Sequence, residues 1–264
     1  MAKENKKRRP KYGYTAVKYF AFMGFIGLIG LCVALIGIFL APPLGTILML
    51  VGIPVTFVGL WIAASYVVLY NSLFKSGPQE KLWGEIIKFS RIGGDEKILD
   101  VGCGIGRASI RFAKQLTKGE VTGIDIYGGV SGTSPEPAKR NAEIEGVADR
   151  VEFKYGNVLD IPFKDDTFDV VNASSVLHEI HGRENQQKAM REIYRVLKPG
   201  GRFVTLEILR ARKLFFLMLF FGFVWNPKEH WINLIKQTGL KNPRAFVFKA
   251  LPDAGIFVAE KPRK

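Results

Sequence analysis

Apolar and polar positions divide the 264-residue chain into two unlike parts. No charged residue occurs between Lys18 and Lys75. Within that stretch, residues 19–40 (YFAFMGFIGLIGLCVALIGIFL) and 44–70 (LGTILMLVGIPVTFVGLWIAASYVVLY) each reach the length of about 20 apolar residues that a bilayer-crossing helix needs. Ala41-Pro42-Pro43 breaks the pattern, so the stretch predicts an antiparallel helical hairpin. Pro54 is a tolerable kink in its second arm. Trp61, Tyr66 and Tyr70 gather toward the exit of that arm, as an interfacial aromatic belt would. A cleaved leader has an apolar core of about 7 to 15 residues, shorter than the first run here. A hairpin buried in a soluble core would not be uncharged over such a length.

Beyond Lys75 the pattern changes to short apolar strands alternating with amphipathic helices, the signature of a largely parallel α/β sheet. Leu82, Trp83, Ile86 and Ile87 fall at helical spacing within 75–90, predicting a helix on the sheet edge or one leading away from the hairpin. Strands are expected at Ile98–Val101, Glu120–Ile126, Val151–Tyr155, Phe168–Asn172 and Arg202–Glu207. A helix is expected after Ser134 as cap and Pro135 in the first turn, ending at Gly146. Another spans Glu184–Leu197, stopped by Lys198-Pro199-Gly200-Gly201. A last helix, Trp231–Gly239, precedes two strands at Ala245–Lys249 and Gly255–Glu260. The division is therefore a basic N-terminus (1–18), a hairpin (19–74) and an α/β domain (75–264).

Charge sharpens this division. The net charge of +14 is partly local, with Lys3, Lys6, Lys7, Arg8, Arg9 and Lys11 crowded against Glu4. Beside an apolar run, such a cluster points to anionic lipid and to topology rather than to nucleic acid. With Lys18 before the hairpin and Lys75 and Lys81 after it, the positive-inside rule puts both ends on the cytoplasmic side of a cell membrane. The two cysteines, Cys32 and Cys103, suggest neither a disulfide framework nor a metal site. Residues 214–225 (LFFLMLFFGFVW) follow Arg210, Arg212 and Lys213 and are too short to span. They are either a core helix or a second contact with the lipid interface.

Chemistry concentrates where the first strand ends. Asp100 is followed at once by Gly102, Cys103, Gly104 and Gly106, a Gly-x-Gly-x-Gly turn opening a helix. Glycines let the main chain approach a ligand, and the N–H groups of the helix start face the space above the strand. A dinucleotide fingerprint would need glycine where Arg107 stands. Asp125 ends the next strand, 19 residues beyond Gly106, where a carboxylate can accept ribose hydroxyls. Cys103 is either a nucleophile or a small residue fitting a tight loop. The glycine-rich stretch Tyr127–Ser134 is long enough to cover a ligand.

The turn with its preceding acid resembles motif I of the class I S-adenosylmethionine (SAM) methyltransferases. The run REIYRVLKPGGRF at 191–203 is similar to the ubiquinone and menaquinone biosynthesis group of that class. The resemblance covers roughly residues 80–208 and implies a Rossmann-like seven-stranded sheet, here preceded by two transmembrane helices. It implies SAM as cofactor, held by Asp100, Gly102, Cys103, Gly104, Gly106, Asp125 and Ile126, by Asn157 and Val158 near the adenine, and by Asn172. Asn157 stands where the class commonly has Asp. His178 is the first candidate for a general base, with Glu179 and then His181 behind it. A zinc site from these three lacks specificity. The expected activity is methylation of a small lipophilic acceptor such as a quinone precursor, isoprenoid or phospholipid headgroup. The alternatives are a soluble metabolite or protein acceptor, or a non-catalytic SAM-binding membrane scaffold. Arg107 disfavours a nicotinamide oxidoreductase, and the absence of an Asn/Asp-Pro-Pro-aromatic motif after the fourth strand disfavours nucleic-acid methylation.

Overall fold

The computed structural model describes residues 10, 17–70, 77–128, 134–210, 225–249 and 253–263. The basic cluster, most of the glycine-rich loop (129–133) and the apolar segment 214–224 lie outside the described residues. Helices α1 (Val17–Ile38) and α2 (Leu44–Tyr70) form the antiparallel hairpin, joined through a turn at 39–43. Their backbones meet across glycines. A Cβ on Gly30 would stand 2.7 Å from Thr56 N, and one on Gly52 would stand 2.5 Å from Ala34 N. Small residues at three- and four-residue spacing let helices associate by close packing where no hydrophobic drive exists between them. Phe20 stacks on Tyr66 at 4.0 Å, near the end of the hairpin away from its turn.

The outer faces expose Phe22, Phe25, Leu28, Leu50, Ile53 and Phe57. Only 22% of the first apolar window and 11% of the second are buried within the protein. Both helices are long and apolar enough to cross a membrane, and neither is packed as a soluble core helix would be.

The second part is a seven-stranded sheet in the order β3-β2-β1-β4-β5-β7-β6. Its strands are β1 (Lys97–Val101), β2 (Glu120–Asp125), β3 (Val151–Tyr155), β4 (Phe168–Asn172), β5 (Leu197–Ile208), β6 (Lys241–Phe248) and β7 (Ala254–Glu260). The first five run parallel, whereas β7 lies antiparallel to β5 and to β6. Both faces are covered, which is why the central strands read as nearly continuous apolar runs. Helices α3 (Gly77–Ser90), α4 (Arg107–Ala113) and α5 (Glu136–Ile144) accompany one core, in which Trp83, Ile86, Phe112 and Ala138 pack with Ile98, Val170 and Ile256. Helices α6 (Arg183–Val196) and α7 (Lys228–Gln237) accompany the other, packing Met190, Ile193 and Trp231 on Leu99, Val171 and Phe257. So α3 covers a sheet face rather than an edge.

Three local expectations change. Ser134 does not cap α5: Pro135 occupies the cap position, no side-chain cap is made, and the Ser134 hydroxyl bonds the Glu136 carboxylate instead. Lys198-Pro199-Gly200-Gly201 does not separate helix from strand. Leu197 already pairs with Phe168, and the ladder shifts register before Arg202 pairs with Val170, so these four residues form a bulge inside β5. Finally, α7 starts at Lys228 rather than Trp231, directly after Pro227.

Candidate active site

The C-terminal ends of β1, β2, β4 and β5 converge on one edge of the sheet, where open α/β sheets bind ligands. Asp100 on β1 pairs in register with Asn172 on β4. Its carboxylate is buried; Oδ1 accepts a 2.6 Å bond from Asn172 Nδ2, and Oδ2 accepts one from the Ser109 hydroxyl on α4. Asn172 in turn accepts 2.7 Å from the Ser174 hydroxyl, so it orients Asp100 from behind. Burial pushes the Asp100 carboxyl from 3.8 up to about 6, against the pull of Ser109 and Asn172, and the Asp125 charge adds to the rise.

Asp125 is also buried. Its Oδ2 accepts 2.9 Å from Gly104 N and its Oδ1 accepts 2.8 Å from Tyr127 N, which leaves each oxygen acceptor capacity for a hydroxyl. Gly102 holds φ +67°, and a Cβ there would lie 2.1 Å from Val176 Cγ2, so this turn admits glycine alone. Ile126 follows Asp125 with 53% of its surface exposed, an apolar platform beside the acid. Asn157 lies exposed after β3, its Oδ1 accepting 2.9 Å from Leu159 N, and Val158 leans on the core behind it.

The turn N–H groups do not face outward as the motif alone suggests. Gly102 N and Cys103 N donate to Ile124 O, Gly104 N to Asp125, and Gly106 N to Cys103 O. An anion cradle needs such groups free, so diphosphate binding of the dinucleotide kind is poorly served. Cys103 is buried with its sulfur 3.5 Å from the Tyr127 hydroxyl, and burial together with the Asp100 charge drives its pKa well above the ordinary value. It is a packed thiol, not a nucleophile.

On the other side, β4 runs into a 3-10 turn at Leu177–Glu179 that carries the two candidate catalytic residues. His178 Nδ1 lies 2.7 Å from Glu207 Oε2, near the end of β5. Glu207 was not legible as a site residue; its one sequence signal is an acid within the apolar run FVTLEIL. Glu179 is exposed at the lip of the turn, as is His181 just after it. His230 on α7 meets Gln186 on α6 at 3.0 Å, beyond the same edge. No group of three or more metal-binding side chains occurs among the described residues.

Strand order, the antiparallel β7 and the two acids ending β1 and β2 define a class I SAM-dependent methyltransferase fold. The methyltransferase-domain family matches residues 92–223, and the chain belongs to it. A demethylmenaquinone methyltransferase from Symbiobacterium thermophilum is 34% identical over 154 residues, 58% of this chain and 57% of that protein. The chain thus spans little more than half the length of that relative. Among solved structures, a SAM-dependent methyltransferase from Methanosarcina mazei has a TM-score of 0.56 at 20% identity, covering 67% of this chain and 98% of its own. The [4+2]-cyclase SpnF has a TM-score of 0.58 at 21% identity, covering 70% of this chain and 82% of its own.

The cradle suits SAM by its charge. Asp100 and Asp125 are buried carboxylates whose hydrogen-bond partners are neutral: a hydroxyl, an amide and two backbone N–H groups. Among the described residues no cation lies against either acid, and buried charge without a counter-ion is costly. A ligand bringing a sulfonium and an ammonium supplies that missing charge, whereas a diphosphate would worsen the deficit.

Proposed function

We propose that the protein methylates a small lipophilic acceptor at a membrane surface, with the hairpin as its anchor and the acidic cradle as its SAM site. The Asp100–Asp125 pair, with no cation against it among the described residues, carries the reading of the cofactor. The apolar exposed faces of α1 and α2, together with a relative named for a menaquinone precursor, support a lipophilic acceptor. A quinone precursor, an isoprenoid or a phospholipid headgroup fits this description.

In this reading Asp125 accepts the ribose hydroxyls, Ile126 and Val158 flank the adenine, and Asn157 offers its free amide N–H to the base edge. Gly102, Cys103, Gly104 and Gly106 shape the floor, and Asp100, held by Asn172 and Ser109, sets the negative potential under the cationic end. Bound SAM supplies an electrophilic methyl on sulfur. The protein's part is to exclude water and to hold the acceptor in line, and placement of this kind contributes much of such a rate. His178 and Glu179, at the end of β4, face the acceptor side. Cytoplasmic placement of both chain ends at the cell membrane completes the reading.

Full-length protein in detergent, titrated with SAM by calorimetry, tests it, with Gly102→Ala and Asp125→Ala as comparisons. Binding that both substitutions abolish, followed by transfer of labelled methyl from SAM into the organic phase of a lipid extract, is the expected result. A folded protein that ignores SAM, or label confined to water-soluble or protein fractions, would overturn the proposal.

A further inference from the structure

Glu207 is a fully buried carboxylate near the end of β5. Its Oε1 accepts from Leu177 N at 3.2 Å and lies 3.2 Å from the Thr205 hydroxyl; its Oε2 meets His178 Nδ1 at 2.7 Å. Among the described residues, the one ion pair of Glu207 is with His178. An acid in such a place would sit more comfortably as an apolar residue, since Phe203 on the same strand face belongs wholly to the core. The His178 side chain is 15% exposed. With Nδ1 committed to Glu207, its reachable nitrogen is Nε2.

We infer that Glu207 is a positioning residue that fixes His178 with Nδ1–H toward the core and Nε2 open to the site, so that His178 removes a proton from an acceptor hydroxyl and the methyl goes to oxygen. The inference rests on the SAM-dependent reading above and names its acceptor class. His178 Nε2 takes the hydroxyl proton as the acceptor oxygen forms its bond to the methyl carbon. The electrons of the broken carbon–sulfur bond return to sulfur, and the imidazolium later releases its proton to water. The products are a methyl ether and S-adenosylhomocysteine. A base in this position serves a hydroxyl best. A free amine attacks with its own lone pair, so such a base before transfer serves an acceptor that has a hydroxyl proton to lose.

The groups facing His178 support this poise. Burial works against the imidazolium, yet the hydrogen bond and charge of Glu207 on β5, with a smaller pull from Glu179 on its own turn, hold His178 above the ordinary histidine value. At lower pH the imidazolium form dominates and cannot accept a proton, so an acid limb in the rate profile belongs to His178.

The chain has three histidines, 178, 181 and 230, so ring-labelled histidine in the full-length protein gives a readable NMR titration. His181→Gln and His230→Gln assign the signals. In the parent protein, the inference requires the Nδ1–H tautomer at His178 and a midpoint above the ordinary histidine value. Glu207→Gln should lower that midpoint while leaving calorimetric SAM affinity within about twofold. With a prenylated phenol and phosphatidylethanolamine as probes, labelled methyl should enter the phenol oxygen. Glu207→Gln should cut that rate at least tenfold and move its acid limb to lower pH. An unmoved midpoint, an Nε2–H tautomer, methylation of the amine alone, or a carbon-methylated phenol would each overturn the inference. Because SAM binding is read separately, its loss in the parent protein would instead mark failure of the functional reading itself.

Discussion

Replacing Asp100 with Asn isolates what the cradle asks of the fold. The Asp100 carboxyl is fully buried and its pKa is raised from 3.8 to about 6. At about 1.36 kcal/mol per pH unit, that rise of roughly two units makes its ionisation in the SAM-free protein cost about 3 kcal/mol. Asn is nearly the same size. Its Oδ1 can accept from Asn172 Nδ2 while its amide donates to the Ser109 oxygen, so both present partners remain satisfied. Asp100→Asn is therefore expected to stabilise the SAM-free protein at neutral pH by up to about 3 kcal/mol. For a domain of this size that is roughly 6–12 °C in Tm.

The sign of the pH dependence is fixed by the direction of the shift. A carboxyl raised in the folded state binds more protons folded than unfolded, so its contribution to stability is fully present below pH 3.8 and lost as pH rises through about 6. The advantage of the Asn variant should be full above pH 7, shrink as pH falls through 6, and vanish near pH 4. Affinity for SAM moves the other way. Loss of a charge-assisted interaction worth about 1.5–3 kcal/mol weakens binding by roughly ten- to a hundredfold. Thermal unfolding in detergent, followed by tryptophan fluorescence across this pH range, reads the first effect, and calorimetry the second. A variant less stable than the parent at pH 7, or a gain that does not change with pH, would refute the reasoning.

Two further outcomes follow from packing. Lys261 has a side chain only 11% exposed; its Nζ bonds Asp166 at 2.7 Å and the carbonyls of Tyr194 and Leu197 at 2.9 and 2.7 Å, closing the end of α6 against the chain after β7. Lys261→Met should destabilise the domain by about 3 kcal/mol, read as a lower midpoint in the same fluorescence assay, with SAM affinity retained in the folded protein. In the hairpin, Gly52→Leu would push a side chain into the backbone at Ala34. It should separate α1 from α2, detected as faster amide exchange along both helices in micelles while exchange in the sheet stays unchanged.

Strands β3 and β4 were legible to the residue, β3 from the strict alternation of VEFKY and β4 from the mostly apolar FDVVN. The hairpin was equally plain from the uncharged stretch. Its interior contact was half visible: Gly24, Gly27, Gly30 and Gly37 recur on one side of α1, but only the antiparallel arrangement shows that Gly52 and Gly59 meet them. The Lys198–Gly201 bulge was hidden because Pro-Gly-Gly reads as a stop signal wherever it occurs. Here Leu197 had already joined the ladder, and Gly200 at φ +80° lets the extra residues loop out without ending the strand. In the site, Asp100 and Asp125 were legible from their place after apolar strands. Their hydrogen-bond partners were not, since Asn172 reaches Asp100 from 72 positions away and Gly104 reaches Asp125 from 21.

The departures from pattern share one address. Asp100, Asp125 and Glu207 all sit at or near the C-terminal ends of sheet strands, and all are buried. Elsewhere in the sheet β3 ends at Tyr155, β4 at Asn172 and β6 at Phe248, whereas Glu260 at the end of β7 pairs with Arg91. The surface acids Glu80, Glu120, Glu145 and Asp165 likewise pair with Arg111, Lys97, Lys114 and Arg195. A chain with an excess of lysine and arginine has cations available, yet it has placed none of them against Asp100 or Asp125 among the described residues. Natural sequences give up local consistency chiefly where function demands it. In the proposed reading, an acid pair left to a cationic ligand and a third acid given to a histidine are two separate uses of the same edge. The first would hold the methyl donor over β1 and β2, and the second would ready the acceptor at β5, so that the two halves of the reaction are prepared on either side of β4.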